Sequence, residues 1–263
     1  MANRGCQPRV VKTIKQNRNR EFIIMKTITT FLGGALFLLL AATSCINDIS
    51  VSGNGIQATE SRTTSAFSQV KSLGAFDVYI TNGDKYSVTV SADENLLQYI
   101  ETYVSGETLK IDIDELHRVK AIVPMEVYIT TPVLDGVIQS GSGKLIADYF
   151  ETDHFDAVLS GSGRIVAQFG ADSGDVLLSG SGQLDISGSA ENVELVVSGS
   201  GNIDASDLAV NDCKTLTSGS GNMWISVDDY LEARISGSGN VYYYGTPTVE
   251  THISGSGHAI NQN

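Results

Sequence analysis

Three cysteines, four prolines and one tryptophan stand in 263 residues, and each scarcity excludes something. Cys6, Cys45 and Cys213 are too few for a disulfide framework or a cysteine metal site within one chain. Aromatics are 7% while glycine reaches 27, a balance that suits short strands joined by tight turns rather than helices. Basic charge is scarce as well. The formal net charge is −13, and beyond Ser44 only 10 Lys/Arg face 29 Asp/Glu. Such a surface repels nucleic acid and anionic lipid head groups, so neither is expected as a partner. No hydrophobic run reaches the roughly 20 residues of a comfortable membrane span.

The longest apolar run, residues 31–42, follows Met25 and Lys26 and ends in small residues, the layout of a secretory leader. Its last residues, Ala42-Thr43-Ser44-Cys45, are similar to the lipobox of bacterial lipoproteins, with Ala42 where leucine is usual. That similarity implies cleavage before Cys45 and a diacylglycerol on its thiol, which would tether the protein to a membrane through acyl chains. A plain secretory leader with an incidental cysteine is the alternative. The expected organisation is an upstream extension over 1–24, with Met25 the true initiator, and a lipoprotein signal peptide over 25–44. A lipidated Cys45 and polar tether follow over 45–61, then one domain over 62–263.

What the chain has in excess is one tetrapeptide. SGSG begins at Ser140, Ser160, Ser179, Ser198, Ser218, Ser236 and Ser254, at intervals of 20, 19, 19, 20, 18 and 18 residues. A flexible linker keeps no period, whereas a solenoid must, because each coil returns the chain to the same place above the last. Two residues after each final glycine stand Leu145, Ile165, Leu184, Ile203, Met223, Val241 and Ala259, an apolar column. Directly after it stand Lys144, Arg164, Gln183, Asn202, Asn222, Asn240 and His258, all polar. That is the alternation of a strand with one buried face. Each coil is then two strands, a tight SGSG corner where glycine takes left-handed angles, and a variable turn opposite. Stacked serines can hydrogen-bond along the corner.

Upstream, alternating segments at 75–80, 86–91, 99–104, 108–113 and 124–130 read as strands, with one helical turn within 92–98. They are expected as irregular, longer coils of the same solenoid. The fold expected is therefore all-β, a parallel β-helix with about 19 residues per coil in its C-terminal half.

The segments ADENLL at 92–97, LKIDI at 109–113 and ITTPVLDGVIQSGSG at 129–143, with the later SGSG series, resemble the auto-transporter adhesin head GIN domain family of bacterial envelope lipoproteins. The resemblance runs over about 62–258. It implies a right-handed parallel β-helix and a cell-envelope, outer-membrane location. It supplies no set of catalytic residues.

Trp224 and Tyr242 share one outward column in adjacent coils, with Tyr244 on the same face, and exposed aromatics suit contact with a glycan or an envelope protein. Covering the end of the solenoid is their other use. Asp185 and Asp204 share that column too, but a hydrolytic acid pair needs burial to keep one of them protonated, and an outward column is solvated. Lys144 and Arg164 lie on other coils than those two acids, which weakens a polysaccharide lyase reading. His117, His154, His252 and His258 share no spacing, so neither a metal nor another cofactor is expected, and Cys213 reads as a small buried hydrophobe. The function expected is a non-enzymatic envelope lipoprotein presenting a binding surface. A polysaccharide-active enzyme and an envelope-sensing accessory protein are the alternatives.

Overall fold

The computed structural model describes residues 49–263, which form one unit. The leader and Cys45 lie outside the described residues. The strands are β1 (Ile49–Ser52), β2 (Gln57–Arg62), β3 (Gln69–Gly74), β4 (Asp77–Asn82), β5 (Ser87–Asp93), β6 (Ile100–Ser105), β7 (Thr108–Ile113), β8 (His117–Lys120) and β9 (Glu126–Thr131). They continue as β10 (Gly136–Gly141), β11 (Lys144–Glu151), β12 (His154–Gly161), β13 (Arg164–Gly180), β14 (Gln183–Gly199), β15 (Asn202–Gly219), β16 (Met223–Gly237), β17 (Val241–Tyr244), β18 (Thr248–Gly255) and β19 (Ala259–Asn261). The expected helical turn is a single 3-10 turn at Leu97–Tyr99.

The seven corners superimpose in register, Ser140 on Ser160 on Ser179 and so on to Ser254. Side chains before the corner form one sheet face and those after it the other, both parallel from coil to coil. The two glycines of each corner serve different needs. The first has positive φ, between +123° and +133° in every copy, a region closed to most side chains. The second lies against the coil below: a Cβ at Gly201 would stand 2.5 Å from the Gly182 carbonyl oxygen. The corner ladder is built from backbone, not from the serines. The Gly141 carbonyl accepts from the N–H groups of Ser162 and Gly163, at 3.1 and 3.0 Å, and later corners repeat the pattern. Ser256 to Ser238 is the one serine–serine bond along the corner among the described residues.

Between the sheets lies an apolar core. Leu145, Ile165, Leu184, Ile203, Met223 and Val241 are fully buried in one column, and Phe155 stacks on Phe169 at 4.5 Å. Cys213 is buried among them, and burial pushes its thiol up, out of the reactive range.

The N-terminal half departs from the expectation in two ways. First, β3 and β4 are a regular coil whose corner is Leu73-Gly74-Ala75-Phe76, with Leu73 under Ser140 and Gly74 under Gly141. Phe76 stands where later coils have their second glycine. Second, β2, β5 and β6 run antiparallel to their neighbours and close that end of the stack. Alternation fixes which face a side chain takes but carries no strand direction, so these read as further coils. The β7–β9 coil replaces its corner with an excursion containing β8, which pairs with β1. Residues 49–61, expected as tether, hold β1 and most of β2; the polar segment is ordered by edge pairing rather than by burial.

Candidate functional site

The outer face of the second sheet carries a column that runs Tyr128, Tyr79, Ile146, Val166, Asp185, Asp204, Trp224, Tyr242, Ile260. Parallel in-register stacking places each residue about 4.8 Å from the next. Trp224 and Tyr242 stack with centroids 5.1 Å apart and planes 12° apart, both half-buried. The indole N–H has no acceptor among the described residues. Tyr244 lies over Ser226 on the same face but makes no ring contact with the pair. Tyr243, between them, turns toward the core.

Sequence reasoning missed a second stacked pair at the other end of the column, Tyr79 on Tyr128, at 5.3 Å and 14°. Lys144 lies over the Tyr79 ring at 5.5 Å. Burial, with the nearby carboxylates of Asp77 and Glu126, pushes the Tyr79 phenol up, so it stays protonated. The signal was present in the sequence, since Tyr79 follows the Leu73–Phe76 corner as Trp224 follows its own, but that corner was not legible as one.

Beside the aromatic pair runs an asparagine ladder. Asn202 Oδ1 accepts from the Asn222 N–H at 3.0 Å, Asn222 Oδ1 from Asn240 at 3.0 Å, and Asn240 Oδ1 from His258 at 2.9 Å. Asn240 Nδ2 lies 3.4 Å from the Tyr242 hydroxyl. This column was expected only to be polar.

Asp185 and Asp204 are neighbours, as read from sequence, yet each is engaged separately. Arg164 Nε donates to Asp185 Oδ2 at 2.6 Å and Gln183 to its other oxygen at 2.8 Å, while Asp204 accepts from the Ser206 hydroxyl at 2.7 Å. Arg164 is on a different coil from these acids, as expected, but one coil spacing is shorter than an arginine side chain, so it reaches across to Asp185. Asp185 is half-buried and Asp204 exposed.

The first sheet's outer face carries a column missed entirely, two residues before each corner: Ile138, Val158, Leu177, Val196 and Leu216, ending in Arg234 and His252. Leu177 and Leu216 are each 38% exposed. The next column bears Asp156, Asp175, Glu194, Lys214, Glu232 and Glu250. The histidines scatter as expected, His117 beside Asp114 and His252 beside Glu250, but His154 faces two carboxylates. Among the described residues, no helix is long and apolar enough to cross a membrane.

Stacked coils that hold periodic side-chain columns at fixed spacing define a β-solenoid. The chain belongs to the family described as "Putative auto-transporter adhesin, head GIN domain", whose profile matches residues 66–247. No curated protein matches it at a significant level. Among solved structures it is similar to a "putative adhesin" from Bacteroides fragilis, at 23% identity and TM-score 0.75, over 81% of this chain and 100% of that one. A "putative lipid binding protein" from Parabacteroides distasonis matches at 22% identity and TM-score 0.71, over 81% and 100%. A "putative adhesin" from Parabacteroides merdae matches at 24% and 0.65, over 82% and 100%. At these identities the likeness establishes the fold.

Proposed function

We propose that the chain is a non-enzymatic binding module of the cell envelope, tethered through a lipid on Cys45, that holds a glycan against the Trp224–Tyr242 pair. The observation that carries this is the stacked, half-exposed pair itself, flanked by the amide column and by Asp204. Aromatic surface with a few polar groups fixed beside it is the usual composition of a small-ligand site, and sugars offer both a C–H face and hydroxyls. Membership of an adhesin family supports an envelope setting. The engaged state of Asp185 and Asp204 supports binding without turnover.

The test is binding of the purified protein to a glycan array, with Trp224→Ala and Tyr242→Ala. The expected result is saturable binding that falls at least about tenfold in either variant, the loss of roughly 1.4 kcal/mol. Binding unchanged in both variants rejects the pair as the site. Polysaccharide cleavage that disappears in Asp185→Asn overturns the non-enzymatic reading.

A second reading has its own support. The outward apolar column from Ile138 to Leu216 is a ridge suited to an acyl chain, and the similar Parabacteroides distasonis protein is described as lipid binding. Uptake of a neutral fatty acyl probe that is lost in Leu177→Ser with Leu216→Ser, and kept in Trp224→Ala, would favour it.

A further inference from the structure

We propose that His154, Asp156 and Asp175 form a binding site for a divalent transition-metal ion. The three residues offer one imidazole nitrogen and two carboxylate oxygens, and these atoms all lie within 4.8 Å of one another. His154 Nε2 is 3.3 Å from Asp156 Oδ1 and 3.8 Å from Asp175 Oδ2. An ion set among them needs only small side-chain adjustment to reach ligand distances of about 2.0–2.2 Å.

The site is a product of the stacking, which is why spacing along the chain did not reveal it. Asp156 and Asp175 occupy the same position in successive coils, so the ladder places one carboxylate above the other. His154 is two residues before Asp156 on the same strand and therefore on the same side. The ring is fixed from its far edge: Nδ1 lies 2.7 Å from the Ser173 hydroxyl of the next coil. An outer partner on the second nitrogen is what orients imidazole ligands in metal sites and selects the tautomer with a free Nε2 lone pair.

Charge favours a cation here. Among the described residues neither Asp156 nor Asp175 is paired with a lysine or arginine, and His154 is their only basic neighbour. The next acid in the column, Glu194, is bound by Lys214 at 3.2 Å, so the uncompensated stretch stops there. Below Asp156 the column holds Gly136, which has no side chain to fill the space. Asp135 is turned away to the Thr152 hydroxyl at 2.7 Å.

One imidazole with two carboxylates suits zinc, manganese, iron, cobalt or nickel better than calcium, which takes oxygen donors throughout. Three protein ligands leave at least one position open to solvent. The cluster is on the outer face of the first sheet, so it is independent of the aromatic column on the second.

The experiment is isothermal titration of the tag-free protein with zinc chloride, repeated with His154→Ala, Asp175→Asn and, as a control, His252→Ala. One zinc ion per chain is expected. His154→Ala and Asp175→Asn should each weaken binding about tenfold or more, by analogy with the loss of metal-site partners, and His252→Ala should leave it unchanged. Circular dichroism of the variants without metal should match the parent, because all three side chains are on the surface. No saturable binding at millimolar zinc overturns the proposal, and so does binding that is as tight in His154→Ala as in the parent.

Discussion

A methyl group added at Gly161 would stand 2.5 Å from the Gly141 carbonyl oxygen, on a backbone already at φ +123°. Strained backbone of this kind costs about 1–3 kcal/mol, and here the overlap with a neighbouring coil adds to it. Gly161→Ala is therefore expected to destabilise by at least the upper part of that range. Ser162→Ala, one residue on, exposes no new group and makes no lost side-chain bond, so it should fall within about 0.5 kcal/mol of the parent. Urea denaturation of the two variants checks the pair. Equal losses would show that the serine matters to the corner as much as the glycine does. The glycine half of SGSG was legible in the sequence because only one residue type tolerates that angle. The serine half was less legible, since a serine can bond along a stack, as Ser256 does to Ser238, without being required to.

At the scale of elements, the antiparallel end of the stack is pinned by one carboxylate. Asp93, at the end of β5, is fully buried and accepts from the N–H groups of Gly55 at 2.6 Å, Ile122 at 2.8 Å and Val123 at 3.1 Å. Burial alone would raise this carboxyl, but the backbone donors of Ile122, Gly55 and Val123 outweigh it and hold it below the ordinary range. A carboxyl lowered on folding stabilises above its unfolded value, about 3.9, and the contribution is lost as pH falls through the folded value. Asp93→Asn should then melt well below the parent at neutral pH, with the gap closing as both are acidified below about pH 4. Thermal unfolding at the two ends of that range measures it; a constant gap would mean the donors do not depend on the charge. None of this was readable beforehand. Alternation in β5 showed an inward and an outward side, but the loops that meet at Asp93 are far from it in sequence. The later coils were legible because their partners recur every 18 to 20 residues. For the same reason Trp224 and Tyr242 were legible as neighbours, whereas His154 and Asp175, in different phases of the repeat, were not.

Across the whole molecule the two ends differ. The N-terminal end is closed by β2, β5 and β6, whereas β18 and β19 are edge strands at the other end, and Ile253 is 45% exposed where Ile235 one coil below is 1%. Hydrogen exchange should follow this gradient, with amides of β14 and β15 slowest and those of β18 and β19 fastest. Uniform protection along the stack would show that the coils open only together. The order of the layers also constrains how the chain can assemble. The β3–β4 coil lies between β7–β9 on one side and β10–β11 on the other, so both its flanks are contributed by residues synthesised after it. When Asn82 has left the ribosome, neither neighbour exists. Pairing of this coil must therefore wait until β7 and β9, and then β10 and β11, have been made, so it cannot order against a neighbour as it emerges.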